Sequence, residues 1–274
     1  MNGIERRARG LGRVTRRIVD DRRFSSRMAR DPDAPILVAS PHLDDAALDC
    51  WSVLTGAQPV TVVNVFAGVP PAGFVARWDR VCGAADSAVR ARERRREDRE
   101  ALALAGRDPV NLELLDADVR TRSARPSLSA IDRGITAAAP RASEIYAPAS
   151  LGTTHPDHLL VRTWAREALR AGVPVKLYAD APYCVHHGWP HWVTGAPRDQ
   201  HLDVDAFWED FLGEIPELDR AHPEVVRLSG EDARAKLAAL EAYRTQFRAL
   251  DGGVIGRLSQ PAVHGFEVFW PLLP

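Results

Sequence analysis

The stretch Ile36 to Leu54, ILVASPHLDDAALDCWSVL, decides the fold. It opens on Ile36 to Ser40, small or apolar residues behind Pro35, and a short run of this kind predicts a buried strand. Ala46, Ala47, Cys50, Trp51 and Leu54 then recur at the spacing of one helix face. Between strand and helix stand Pro41-His42-Leu43-Asp44-Asp45. In open α/β sheets, ligands gather outside the carboxyl ends of the strands. His42 and Asp45 are three residues apart and can face one point across a single turn; an imidazole and a carboxylate together suit a divalent cation such as zinc. Asp44 must point elsewhere, within reach of a water on such an ion. The competing reading makes Asp44 and Asp45 helix caps and His42 a satisfied core histidine.

A second stretch repeats the arrangement. Glu144 to Pro148 reads as a strand and His158 to Leu169 as a helix, with Gly152-Thr153-Thr154-His155-Pro156-Asp157-His158 leading from one to the other. Two His/Asp sites at one edge of a sheet can converge. The alternative for His155 and His158 is an exposed helix start, and it weakens once a matching half-site exists upstream.

These residues resemble the PIG-L or LmbE-like zinc-dependent N-deacetylases. That family carries a P-H-P-D-D-E motif and an H-P-D-H motif, which stand here as Pro41-His42-Leu43-Asp44-Asp45-Ala46 and His155-Pro156-Asp157-His158. A weaker likeness runs from Lys236 to Gln246, close to the family's K-x-x-A-L-x-x-H/Y-x-S-Q helix. The resemblance covers roughly Pro35 to Gln246. It implies that His42, Asp45 and His158 are zinc ligands and that Asp44 is the general base. It also implies that His155 stabilises the oxyanion, with Asp157 as its orienting partner. Leu43 replaces a Pro, Ala46 replaces a Glu, and Asp49 stands where a Gly is common. None of these changes removes an implied ligand or the base. Arg94 and Glu97 match a family R-x-x-E pairing, which implies an arginine contact with substrate; the alternative is an exposed helix face carrying ion pairs.

Working outward, Pro59 to Phe66 is the clearest strand, β-branched and continuous as in a strand buried on both faces. Val110 to Leu115 and Val173 to Ala179 predict further strands, and Val225 to Leu228 a short one. Ala84 to Ala105, Ser127 to Ala139 and Ala233 to Leu250 predict helices, and the tail from Gly265 to Leu273 is strand-like. The loop Ala67 to Gly83 begins at the edge of the proposed site and can border it. Cys184 to Gln200, with His186, His187, Trp189, His191 and Trp192, reads either as a lid stacking on a sugar ring or as ordinary loop packing.

A chain of 274 residues can bury a substantial core. A net charge of −1 gives no drive toward nucleic acid, and none is expected as a partner. Residues 1 to 30 form a basic arm with ten Arg against Glu5, Asp20 and Asp21. Contact with an anionic membrane or a partner is one reading of that arm; a solvated helix at the domain edge is the other. Cys50, Cys82 and Cys184 form no CxxC pattern, and no apolar run of about 18 residues or signal-peptide core occurs, so a reduced, cytoplasmic protein is expected. No G-x-G-x-x-G follows the first strand, which leaves dinucleotide binding unsupported.

The expectation is therefore one α/β domain over residues 31–274, with a Rossmann-like, mostly parallel sheet flanked by helices. Its expected reaction is zinc-dependent removal of an N-acetyl group from a small-molecule amino sugar or glycoside. A non-catalytic sugar-binding protein of the same fold, or an amidase for another small amide, are the alternatives.

Overall fold

A computed structural model describes residues 24–121, 124–153, 155–218, 221–253 and 256–273. Residues 1–23 of the expected basic arm lie outside the described residues, as does Thr154 of the second motif. The strands are β1 (Ala29–Arg30), β2 (Ile36–Ser40), β3 (Val60–Asn64), β4 (Val110–Asn111) and β5 (Arg141–Ala142). They continue with β6 (Ile145–Pro148), β7 (Val175–Tyr178), β8 (Glu224–Arg227) and β9 (Phe266–Pro271). Seven of them form one sheet in the order β4-β3-β2-β6-β7-β9-β8, and β1 pairs with β5 in a separate two-stranded piece. The β4-to-β7 part is parallel, whereas β9 runs antiparallel to both neighbours.

That order places the site. From β2 the chain winds through β3 to β4 on one side; it then returns to β6, on the other side of β2, and proceeds to β7. The winding reverses between β2 and β6, and loops diverging from such a switch point leave a crevice at the carboxyl ends of the strands. The two His/Asp motifs follow β2 and β6. Register is set by apolar content: every β2 residue is buried, with Leu37 opposite Ile145 and Val38 opposite Tyr146. Buried apolar residues from Met28 to Leu272 form one contiguous cluster.

Residues 26–30 of the expected arm pack on the domain. The Ser26 hydroxyl and the Arg27 N–H donate to Asp132, which also accepts from Trp164 Nε1 at 2.9 Å. No described helix is long and apolar enough to cross a membrane.

Three expected elements are shorter than their patterns suggest. Val110 to Leu115 pairs as a strand only over two residues, after which Phe66 bridges Glu113 and the chain turns toward the site. The helix of the first motif breaks at Cys50 into Asp45–Asp49 and Trp51–Leu54. The cause is Glu267 on β9, which accepts the backbone N–H groups of Trp51 and Ser52 at 2.7 and 2.9 Å and is itself paired with buried Lys236 at 2.8 Å. The expected helix Ala233 to Leu250 is instead Gly230–Glu241, a turn, and Phe247–Leu250. In that turn the Thr245 N–H donates to Glu97 and so leaves the helical ladder.

Candidate active site

Local bonding fixes the first motif. The Ser40 hydroxyl donates to the His42 carbonyl at 2.6 Å and accepts from the Ala46 N–H. Asp45 Oδ2 accepts from the His42 N–H at 2.8 Å. Asp44 occupies the position before the helix but makes no side-chain cap bond, so the capping alternative fails for it and its carboxylate is left for the cavity. In the second motif the helix Pro156–Arg170 begins at the Pro, one residue after His155. His158 falls in its first turn and is fully buried. Gly152 has φ +64, and an added Cβ would sit 3.2 Å from the Tyr183 carbonyl, so this entry turn takes glycine for both reasons.

The two motifs meet. His42 Nδ1 lies 3.6 Å from Asp45 Oδ2, His158 Nε2 lies 3.7 Å from the same oxygen, and the two nitrogens are 3.2 Å apart. A tetrahedral ion with arms of about 2.0–2.1 Å needs ligand atoms about 3.3–3.4 Å apart. These three donors therefore fit one divalent ion. Each ring is backed by a carboxylate on its other nitrogen: His42 Nε2 meets Asp157 Oδ2 at 3.2 Å, and His158 Nδ1 meets Asp180 Oδ1 at 2.8 Å. Carboxylates in that position fix ring orientation and raise ligand basicity at metal sites. His155 also groups with His42 and His158, and with His42, Asp116 and Asp157, the ligand atoms of each group lying within 4.8 Å of one another.

The electrostatics also call for a cation. Burial lowers the pKa of His42, yet Asp116, Asp157 and Asp45 outweigh it and push it up to about 10. His158 behaves likewise: burial is overcome by Asp45 and Asp180, and its pKa is raised. A half-buried and a fully buried imidazole that both favour positive charge, with nitrogens facing at 3.2 Å, occupy a pocket suited to a cation. Asp180 reaches His158 from a left-handed backbone, φ +59, and Ser150, which donates its N–H to the same carboxylate, has φ +59 as well. Two non-glycine residues in that region, one bonded to a ligand candidate and the other to its carboxylate partner, are strain located at a site.

The expected pairing of Asp157 with His155 is not made by side chains. Asp157 spends its carboxylate on His42, on the Ala117 N–H and on Arg120. Burial would raise its pKa, but His42 and Arg120 hold it well below the carboxylate range. Its link to His155 is the backbone: the Asp157 N–H donates to His155 Nδ1 at 3.3 Å. Burial and then the charge of His42 lower the pKa of His155. A neutral ring accepting at Nδ1 carries its proton on Nε2.

A cavity of about 290 Å3 opens over these groups, at the low end for a small-molecule site. Asp44, His155, Tyr183 and Arg94 line it, and so do Pro70, Trp78 and Asp79 of the expected bordering loop. Arg94 is held by Asp79 at 2.8 Å. Glu97 instead grips Thr245. The segment Cys184 to Gln200 is not a lid: Trp189 stacks near Trp208 and donates to the Val263 carbonyl, and His187 stacks on Phe207. Its aromatic residues find partners in the helix Val204–Gly213, which draws them away from the cavity.

Sequence reasoning assigned no role to Asp116, Arg120, Asp180 or Gln246. Asp180 was visible as a polar residue after a strand, the signal that found both motifs. Asp116 and Arg120 belong to a loop whose strand pairs over only two residues.

No protein-family model matches the chain, and no curated protein matches it in sequence. Solved structures do. The deacetylase of the pseudoaglycone of the antimicrobial reagent A40926 is 27% identical, over 89% of this chain and 98% of its own, with a TM-score of 0.63. A triple mutant of a deacetylase involved in the teicoplanin biosynthetic pathway is 26% identical, over 87% and 98%, with a TM-score of 0.64. The chain carries the LmbE/PIG-L deacetylase fold. The N,N'-diacetylchitobiose deacetylase from Pyrococcus horikoshii shares the fold at 16% identity, over 87% and 84%, with a TM-score of 0.51.

Proposed function

We propose that this LmbE-like chain is a zinc-dependent N-deacetylase that hydrolyses the acetamide of an amino sugar or its glycoside, releasing acetate and a free amine. The observation that carries this reading is the triangle of His42, Asp45 and His158, with Asp44 beside it in the wall of the cavity. Two imidazoles and one carboxylate suit zinc. A zinc ion held there supplies Lewis acidity and lowers the pKa of a water to near neutrality.

The chain's own residues do the rest. Asp44 accepts the proton of the attacking water. Burial, and then the charge of Asp45, hold its pKa up to about 7, in the range of an effective base at neutral pH. As the carbonyl becomes tetrahedral, His155 donates its Nε2 proton toward the developing oxyanion. Asp44 then delivers its proton to the nitrogen as the C–N bond breaks. Asp157, through His42, and Asp180, through His158, keep the ligand rings in place. Ala46 does not disturb the set: its methyl is buried and its N–H is taken by Ser40.

Residues 31–274 act in this reading as one catalytic domain, and the free thiols of Cys50, Cys82 and Cys184 fit a cytoplasmic protein. The reading is tested by acetate release from N-acetylglucosamine glycosides and N,N'-diacetylchitobiose, wild type against Asp44→Ala. Turnover lowered about 10²–10⁴-fold in the variant, with metal retained, supports it. Bound sugar with no acetate from the wild type moves the protein to a binding role.

A further inference from the structure

The mechanism leaves Asp44 without a group to orient it, and the far end of the chain supplies one. Gln246 is 5% exposed and lies in the cavity wall. Its Nε2 donates to Asp44 Oδ2 at 3.0 Å and to the Leu43 carbonyl at 3.1 Å. A carboxamide has two N–H groups. Both go to this one turn, so the bond to the carbonyl fixes the amide plane from which the other N–H reaches Asp44. The turn itself offers the Asp44 side chain no cap bond.

The path that brings Gln246 there is heavily tethered. Between the helices Gly230–Glu241 and Phe247–Leu250, the chain is bonded to the helix Ser87–Ala103. The Tyr243 hydroxyl donates to Asp98 at 2.8 Å. Thr245 donates to Glu97 from its N–H at 3.2 Å and from its hydroxyl at 2.7 Å, and Arg90 donates to the Thr245 carbonyl at 3.2 Å. Glu97 and Asp98 are nearly inaccessible to solvent. Burying carboxylates costs free energy unless each is well bonded; here Glu97 is bonded to Thr245 of that turn, and Asp98 is shared between Tyr243 and Asn64. A connection between helices needs no such anchoring. A turn that must aim one amide at one carboxylate does.

We propose that Gln246 is a positioning residue for the hydrolysis: it holds the Asp44 carboxylate in the orientation that takes the water's proton, and Glu97 holds Gln246 in register through Thr245. With Oδ2 engaged by Gln246, proton transfer falls to Oδ1. This rests on Asp44 being the base, so the experiment separates the two claims.

Acetate release, KM and metal content are compared for wild type, Gln246→Ala, Asp44→Ala and the double variant. Gln246→Ala is expected to lower kcat about 10–100-fold, the scale of misplacing a reacting group by about an ångström. KM should stay within about twofold and metal content should be unchanged. In the Asp44→Ala background the same substitution should cost less than about twofold, because no base remains to be oriented. Equal losses in both backgrounds would overturn the proposal and leave Asp44 as the base. Wild-type turnover in Asp44→Ala would remove the base assignment and this inference with it. Should Gln246→Ala fail to fold, Gln246→Glu keeps the shape but puts a second carboxylate against Asp44. It is expected to lose at least as much kcat, and retained kcat there would likewise overturn the proposal. Thr245→Val should give a smaller fall in kcat that also vanishes in the Asp44→Ala background.

Discussion

His155 to His158 follows β6, and His186 to His191 follows β7, one strand further along the sheet. Both segments are rich in histidine, and both leave the carboxyl edge. Their rings meet different partners. His158 has Asp180 at 2.8 Å on one nitrogen and faces His42 and Asp45 with the other. In the second segment His186 meets the Arg257 guanidinium, His187 stacks on Phe207, and His191 bonds the Ala196 carbonyl. Histidine content therefore does not by itself suit a segment to a metal. In the proposed reading the difference is a carboxylate behind the imidazole, together with a position at the point where the sheet reverses its winding.

The largest expected break in that comparison is functional. His158→Ala should lower deacetylation by at least about 10³-fold, the scale of losing several kcal/mol of transition-state stabilisation from a metal. His187→Ala should stay within about twofold of wild type in the same assay, since its ring stacks on Phe207 and does not line the cavity. Comparable losses in both would erase the distinction between the segments.

The backing carboxylates sharpen it further. Asp180→Ala should weaken metal binding about 10–100-fold, as read by competition with a chelator, while the ligand set stays complete. An unchanged affinity would mean that Asp180 serves only the fold.

A third effect is of pH. As the proposed base, Asp44 would act only when ionised, and burial with Asp45 raises its pKa to about 7, so kcat/KM should rise with pH through an acid limb. A bound cation favours the ionised form, which places the midpoint at or below 7. The limb should be absent from the residual activity of Asp44→Ala. The smallest effect belongs to the aromatic packing of the second segment: Trp192→Ala, at a half-exposed ring, should cost about 1 kcal/mol in thermal or denaturant unfolding and leave kcat unchanged.

Much of this was legible in the chain. Ile36 to Ser40 and Val60 to Asn64 announce themselves because strands buried on both faces are continuous and β-branched. The three-residue spacings of His42 with Asp45 and of His155 with His158 single out the two stretches, because side chains three or four residues apart face one side of a turn. What the pattern hides depends on distant partners. The helix after Asp45 breaks because Glu267 captures two backbone N–H groups from across the core, a contact that no local period encodes. The C-terminal helix breaks because Glu97 draws Thr245 away, which delivers Gln246 to Asp44, 202 residues upstream. The motif likeness at Lys236 to Gln246 was visible, yet its members divide on folding. Lys236 pairs with Glu267 in the core, Tyr243 anchors to Asp98, and only Gln246 reaches the cavity. Of the two readings of Cys184 to Gln200, packing holds over a lid because Trp189 and Trp192 meet a helix whose position their own sequence does not foretell.

The most direct test of the joined site is the metal content of the purified chain by elemental analysis, wild type beside His158→Ala, after zinc is supplied and the excess removed. About one zinc per chain in the wild type and none in a folded variant is the predicted result. A wild-type chain that retains no metal, or a His158→Ala chain that retains it fully, would contradict the account.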